Sequence, residues 1–155
     1  MSLDFEFYAA KGNAFVRLVA DELDAPRARS GRVIRSVLHA LRNRLTHEES
    51  FRLLAQLPMV LKGVYVDGWK FDKDGSRISH VNDFLEEVLK EDDELAAYDF
   101  GDYENGKLAV AAVFRVLSCF ITERAMENIL NILPIALHQF IKESIYYKET
   151  SIAAI

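Results

Sequence analysis

Apolar residues recur at intervals of three and four along most of this chain, which is the spacing of one face of an α-helix. The pattern indicates a first helix that begins near Phe5 and carries Phe15, Leu18 and Val19. A second apolar stripe follows, formed by Val33, Ile34, Val37, Leu38, Leu41 and Leu45. No alternating pattern typical of a β-strand is evident, so the sequence predicts an all-α protein.

Local signals predict where the next helices begin. Thr46 followed by Glu49 forms a capping box, which indicates the start of a third helix. Pro58 suits the first turn of a fourth helix, because its missing N–H needs no partner there. That fourth helix is expected to end between Gly63 and Gly68.

The chain contains an internal repeat. Residues 32–65 align with residues 108–141 without a gap, so that one constant offset relates the two segments. Most aligned positions keep their apolar character, and Pro58 meets Pro134. The alignment therefore predicts three helices in the second copy, which begin near Asn105, after Thr122 and at Pro134, the last of them running to about Tyr147.

The second copy is longer than the first by seven residues. Ser79 is expected to cap a helix that matches the first helix at a smaller offset, because Phe84 then aligns with Phe15. The two offsets differ by seven, so the second copy carries seven extra residues before its next helix. We place this insertion in the acidic stretch 91–105.

These patterns predict a single domain over residues 1–155, a closed bundle of about eight helices. Repeat one spans about 5–68 and repeat two about 79–147, and a polar connector at about 67–79 joins them. Two copies are too few for a typical open solenoid. We therefore expect two four-helix repeats related by a pseudo-twofold axis.

Composition favours a soluble protein. The 155 residues are 50% hydrophobic and 28% charged, and the single cysteine, Cys119, excludes an internal disulfide. No apolar run is long enough for a transmembrane segment, and the N-terminus lacks the basic region of a signal peptide. We therefore expect a cytoplasmic protein.

Charge is distributed unevenly along the chain, although the net charge is only −5. Residues 25–47 contain six arginines and no acid, whereas residues 83–104 contain ten acids and one lysine. Four arginines of the second helix are replaced in the second copy: Arg32, Arg35, Arg42 and Arg44 align with Leu108, Ala111, Ser118 and Phe120. We expect the second copy to be buried on most sides and the first to present a solvated basic face.

The segment from Thr46 to Trp69 contains L-A-Q-L-P followed by Y-x-x-G-W. In these motifs the chain resembles the prokaryotic domain-of-unknown-function family 2267, whose small helical proteins carry both segments in their repeats. The resemblance extends from about Phe15 to Phe140. The second copy departs from it, with Leu-Asn-Ile-Leu-Pro before Ile135 and no Gly-Trp step. The resemblance implies a helical fold and no assigned activity.

No motif of catalysis or metal binding is present. The four histidines, His39, His47, His80 and His138, include no pair at helical spacing and no neighbouring cysteine. Cys119 lies in an apolar helix and is expected to behave as a small buried hydrophobe. Serine elbows, phosphate loops and dinucleotide fingerprints are missing as well. The sequence therefore predicts no enzyme, no metal and no cofactor.

The basic face of the second helix is the main candidate site. Arg32, Arg35, His39 and Arg42 follow a spacing of three and four and so share one side of the helix. This face either lies solvated against the protein's own acidic segment, or it binds an acidic protein partner, a nucleic acid or an anionic membrane. Nonspecific DNA binding is disfavoured, because phosphates would also meet the nearby carboxylates.

Trp69, in the expected connector, forms an aromatic cluster with Tyr65 before it and Phe71 after it. It either covers the core or serves as a rigid anchor in an interface, where Trp, Tyr and Arg dominate binding energy. The apolar tail 151–155 either docks on its own bundle or mediates homo-oligomerisation. Our hypothesis is a non-enzymatic protein–protein interaction module that uses Arg32, Arg35, Arg42 and Trp69. A nucleic-acid-associated regulator that uses the same face is the alternative.

Overall fold

A computed structural model describes residues 3–72, 75 and 80–153, with side chains up to Ile145. These residues form no strand. The helices are α1 (Phe5–Leu23), α2 (Arg27–Arg44), α3 (His47–Gln56), α4 (Met59–Val66), α5 (Val81–Asp92), α6 (Ala96–Asp99), α7 (Tyr103–Phe120), α8 (Glu123–Ile132) and α9 (Ile135–Ala153), with a 3-10 turn at Asp93–Leu95. The predicted all-α bundle is confirmed: eight of these helices have at least eight residues, and α6 has four.

Side-chain caps begin α3 and α8 as the sequence predicts. Thr46 Oγ1 accepts a hydrogen bond from the Glu49 N–H at 3.1 Å, and the Thr46 N–H donates to Glu49 Oε1 at 2.9 Å. Thr122 Oγ1 accepts from the Ala125 N–H at 3.1 Å. Each bond satisfies an amide that has no partner within the first turn of its helix.

Two helix starts differ from the prediction by one or two residues. Helix α7 begins at Tyr103, two residues before Asn105, because Asp102 Oδ1 accepts a hydrogen bond from the Asn105 N–H at 2.8 Å. Pro58 is the cap residue before α4 rather than part of its first turn. Pro134 likewise precedes α9 directly, so the two prolines occupy equivalent positions.

The start of α5 and the end of α9 were also predicted from the sequence. The residue before α5 is His80, and Ser79 lies outside the described residues. Helix α9 runs to Ala153, beyond the predicted end near Tyr147. Because the side chains of residues 146–155 are not described, docking or oligomerisation through the apolar tail stays a prediction.

Helix boundaries in the two halves follow the two predicted offsets. Helices α2 and α7 begin and end at positions related by the offset that aligns residues 32–65 with 108–141, and so do α3 and α8. Helices α1 and α5 end at Leu23 and Asp92, which are related by the smaller offset. The seven extra residues are therefore Asp93–Asp99, which form the 3-10 turn and α6. This shared helix order agrees with an internal duplication. The duplication and the pseudo-twofold axis that would relate the two halves stay predictions.

The two central helices are buried to the same extent, contrary to our expectation. Helices α2 and α7 each bury nine residues, so the two helices do not divide into a surface helix and a core helix. Helix α2 packs against α1, α4 and α5, and its arginines extend from a largely buried helix rather than from a solvated one. Conversely, α7 exposes Leu108 and Cys119, so the prediction of a buried cysteine is wrong. Within the described part of the chain, no helix has the length and apolar character that crossing a membrane requires.

Candidate interaction groove

Two neighbouring cavities follow the arginine side of α2. The first, of about 600 Å³, lies beside the C-terminal end of α2, and the second, of about 410 Å³, lies between α2 and the end of α5. Both are lined by Arg42 and Gly68, and we name them together the α2 groove. Arg32 and Arg35 line the second cavity and Trp69 lines the first. The four residues singled out by the sequence therefore lie along one groove.

Arg32 is bound to the insertion. Its Nε donates to Asp99 Oδ2 at 2.8 Å and its Nη2 to Asp99 Oδ1 at 2.9 Å. The Asp99 side chain is fully buried, and Arg29 Nη2 donates to the Asp99 carbonyl at 2.9 Å. Burial opposes ionisation of Asp99, but the Arg32 guanidinium holds the pKa of this carboxyl below its ordinary value.

Asp92 is the second acid on this wall of the groove. Its Oδ2 is buried and has no hydrogen-bond partner within the described residues. Burial, and secondly the neighbouring Asp99 carboxylate, raise the pKa of Asp92 to about 7. The guanidinium of Arg32 therefore stabilises Asp99 as a carboxylate, while Asp92 titrates close to neutral pH.

Arg35 forms a more exposed pair. Its Nη2 donates to Asp67 Oδ2 at 2.5 Å, and the two side chains are 50% and 61% exposed. The hydrogen bond from Arg35 lowers the pKa of Asp67. Because exposed ion pairs contribute little to stability, the contact between Arg35 and Asp67 breaks at a lower cost in free energy than the contact between Arg32 and Asp99.

Arg42 lies where the two cavities meet. Its Nη1 donates to the carbonyl oxygens of Tyr65 and Asp67, each at 2.8 Å. Its Nε–H is buried without an acceptor, and among the described side chains no carboxylate forms an ion pair with it. Burial lowers the pKa of Arg42. Arg42 is thus a partly desolvated cation with unused hydrogen-bonding capacity.

His39 does not share the exposure of its arginine neighbours. It is 5% exposed, and its Nε2 lies 2.8 Å from the Val64 carbonyl oxygen. Because a carbonyl oxygen only accepts, Nε2 carries the proton. Burial is the main cause that lowers the pKa of His39. His39 therefore forms part of the floor of the groove, and the prediction that it shares a solvated face is wrong.

Acids of α5 approach the C-terminal end of α2. Arg44 Nη2 lies 3.2 Å from Glu87 Oε2, and Asn43 Nδ2 donates to Glu87 Oε1 at 2.9 Å and to Glu91 Oε1 at 2.6 Å. Together with Asp99, these acids belong to the segment 83–104. Arg32 and Arg44 thus pair with the protein's own acidic segment, as one interpretation of the sequence proposed, whereas Arg35 pairs with Asp67 outside that segment.

An aromatic cluster borders the first cavity. Trp69 packs edge-on against Tyr65, with ring centroids 5.8 Å apart, and against Phe71 at 4.9 Å. Phe71 has a φ of +54°, which bulky residues rarely adopt, and its ring stacks on His47 at 3.9 Å. Phe51 packs beside Trp69 and Phe71. Phe51 is 54% exposed and Phe71 46%, so this cluster presents aromatic surface to solvent.

Tyr65 lies in the last turn of α4, which ends within the range expected from the sequence, and it is fully buried. Its hydroxyl lies 2.7 Å from Ser50 Oγ. Trp69 is half-buried against the core, so it both covers the core and contributes to the edge of the groove.

Residues 12–140 match the family described as Uncharacterized conserved protein (DUF2267). The chain belongs to this family. The match covers more than half of the sequence and confirms the resemblance carried by the L-A-Q-L-P and Y-x-x-G-W segments. A comparison with curated proteins found no match.

Sequence reasoning about this DUF2267 protein missed three contributors to the groove. Asp67 and Asp99 were not singled out individually, although the seven-residue insertion was a signal that α2 gains an extra contact. Phe51 was missed because one aromatic residue in an amphipathic helix resembles a core residue. Among the described residues, no three His, Cys, Asp or Glu side chains are grouped so that they could hold a metal ion.

Proposed function

We propose that this DUF2267 protein is a cytoplasmic, non-enzymatic module that binds an acidic segment of a protein partner in the α2 groove. The observation that supports this most directly is the exposed aromatic surface of Phe51 and Phe71 beside a cavity lined by Arg42, Arg44 and Lys70. Aromatic residues and arginine supply most of the binding energy in protein interfaces.

The two cavities of the groove contribute to binding in different ways. Trp69 and Phe71 line the first cavity and Phe51 packs beside them, and these rigid rings lose little side-chain entropy when a partner covers them. In the second, Arg35 is exposed and attracts an acidic segment from a distance. An acidic peptide that carries an apolar or aromatic residue would use both cavities at once.

The alternative, a nucleic-acid-associated regulator, would use the same arginines. However, Glu87, Glu91 and Asp92 line the same groove. A regular phosphate backbone would pass close to these carboxylates, whereas a peptide can space its acids to avoid them. The charge distribution of the groove therefore favours a peptide over a polynucleotide.

Arg35 is the arginine to mutate, and Arg32 is not. Substitution of Arg32 by glutamate would place a third carboxylate beside Asp99 and Asp92, and loss of binding would then report loss of structure. Arg35→Glu changes an exposed side chain whose partner is also exposed. Arg124→Glu, on the exposed surface of α8, is a matched control with the same change in charge.

The test is an affinity purification from the source cells at physiological salt, which measures both co-purified protein and nucleic acid. Wild type and Arg124→Glu should retain one acidic protein, while Arg35→Glu and Phe71→Ala should lose it. Equal capture of that protein by all four forms would reject the proposal. Recovery of nucleic acid alone, with steep loss at higher salt, would support the alternative.

A further inference from the structure

We infer that Asp67 occupies, in the free protein, the position that a carboxylate of the partner takes in the complex. The inference rests on the proposed function and makes it more specific, because it names the group that is recognised and the residue that competes with it. The binding position consists of the guanidinium groups of Arg35 and Arg42.

Both guanidinium groups already bind Asp67, but through different parts of the residue. Arg35 Nη2 binds the side-chain carboxylate at Oδ2, and Arg42 Nη1 binds the main-chain carbonyl oxygen at 2.8 Å. Arg42 lines both cavities, so its positive charge lies beside the carboxylate position that Asp67 occupies on Arg35.

The Asp67 side chain can leave this position without disturbing the bundle. Its backbone N–H donates to the Gly63 carbonyl oxygen at 3.0 Å, which fixes the main chain at the end of α4. The carboxylate itself is exposed and forms no hydrogen bond or ion pair besides that with Arg35 among the described residues. A rotation of the side chain therefore frees Arg35 while the bond from Arg42 to the main chain remains.

A carboxylate is the group that best fits the freed position. The planar guanidinium of Arg35 matches the two oxygens of a carboxylate, and Arg42 adds a second positive charge in the same cavity. Phosphate shares part of this chemistry, but its larger charge would meet Glu91 and Asp92 in the same cavity. We therefore assign the position to an Asp or Glu side chain of the partner.

Fluorescence polarisation with labelled poly-L-glutamate at physiological salt tests this inference. Asp67→Asn removes the competing charge, so it should bind poly-L-glutamate about twofold to fivefold more tightly than wild type, the range expected when a weak competing ion pair is lost. Arg35→Gln should bind more weakly than wild type, and Asp67→Asn combined with Arg35→Gln should lose the gain. Helical content measured by circular dichroism should be equal in all forms.

Asp21→Asn is the matched control. Asp21 is exposed on α1 and lines neither cavity of the α2 groove, so this substitution makes the same change in net charge away from the binding position. Its affinity for poly-L-glutamate should stay close to that of wild type. Equal tightening by Asp21→Asn and Asp67→Asn would overturn the role of Asp67, and the proposed function would stand because binding itself persists.

Two further outcomes separate the inference from the proposed function. If neither wild type nor Asp67→Asn binds poly-L-glutamate, recognition of acidic segments is wrong and the inference falls with it. A labelled oligothymidylate provides the other comparison. If Asp67→Asn gains affinity for the oligonucleotide but not for poly-L-glutamate, the position recognises phosphate and the assignment to a peptide carboxylate is overturned.

Discussion

Arg32 of α2 and Asp99 of α6 form a two-point ion pair between residues 67 positions apart in the chain. Both oxygens of the buried carboxylate accept from one guanidinium group, at 2.8 and 2.9 Å. Asp99 is the last of the seven residues by which the second half exceeds the first. The insertion thus supplies the counter-charge for one arginine of the helix on which it packs.

The first prediction compares Arg32 with its neighbour Arg35 on the same helix. Arg32→Leu should lower the melting temperature by about 5–10 °C, because it leaves the buried Asp99 carboxylate without its cation. Arg32→Lys should restore only part of the loss, since one ammonium group cannot reproduce the two parallel hydrogen bonds. Thermal unfolding followed by circular dichroism measures these differences.

Arg35→Leu is the control for this prediction. The ion pair between Arg35 and Asp67 is exposed on both sides, so its loss should lower the melting temperature by less than about 2 °C. Equal destabilisation by the two leucine variants would contradict our distinction between a structural and an exchangeable arginine.

The second prediction concerns pH. The pKa of Asp92 rises from its ordinary value of 3.8 to about 7 in the folded protein, mainly through burial and then through the Asp99 carboxylate. Between these values the folded state holds a proton that the unfolded state has released, so the stabilising contribution is complete below pH 3.8 and is lost as pH rises through about 7. Asp92→Asn should abolish this loss, because its side chain does not ionise.

The measurement is the melting temperature of wild type and Asp92→Asn at several pH values between about 5 and 8. The two proteins should differ least at pH 5, and the variant should become the more stable one as pH rises. Comparison at each pH cancels the opposite contribution of His39, whose lowered pKa favours stability as pH rises. Asp93→Asn changes an exposed neighbour and serves as the control. A constant difference between wild type and Asp92→Asn would rule out the titration of Asp92.

The helices could be predicted from sequence because their signals are local. The Thr46 capping box, the two prolines and the constant offset between the copies each concern residues close together in the chain or repeated in it. The pairing within the groove could not be predicted in the same way. Which acid meets Arg32 depends on the packing of α6 on α2, and ten acids in residues 83–104 are equivalent by composition.

Burial was predicted less well than helix position. Periodicity placed His39 and Arg35 on one side of α2, but it could not show that α4 covers only His39. Cys119 lies in a largely apolar helix, yet it is exposed and lines a cavity between α7 and α1 together with Leu18 and Arg115. Periodicity identifies the faces of a helix, whereas burial depends on which of them other elements cover.

The third prediction uses two glycines with opposite surroundings. The Gly75 N–H donates to the Leu45 carbonyl oxygen at 3.1 Å, and a Cβ on Gly75 would lie 2.4 Å from the same oxygen and 2.6 Å from that of Asn43. Gly75→Ala should therefore displace residue 75 from the end of α2 and lower the melting temperature. The fluorescence of Trp69, the single tryptophan, should shift towards longer wavelength as its surroundings loosen.

Gly63→Ala provides the matched comparison. Gly63 lies within α4, and nothing is within 4 Å of an added Cβ. The substitution should stabilise the protein by about 0.5–1 kcal/mol, because glycine in a helix costs more conformational entropy than alanine. Changes of equal sign at the two glycines would contradict the close approach of Gly75 to the end of α2.

The last prediction concerns the buried pair of Ser50 and Tyr65, which joins α3 to α4. The two hydroxyl groups lie 2.7 Å apart and both residues are fully buried, and burial raises the pKa of Tyr65. Ser50→Ala leaves the Tyr65 hydroxyl without this partner, which should lower the free energy of unfolding by about 1–3 kcal/mol. Tyr65→Phe combined with Ser50→Ala removes both hydroxyl groups and should cost less than the sum of the single substitutions, because neither partner is then left unsatisfied. Denaturant unfolding of the four proteins in this double-mutant cycle measures the coupling, and additive losses would mean that the two hydroxyl groups do not stabilise the α3–α4 contact together.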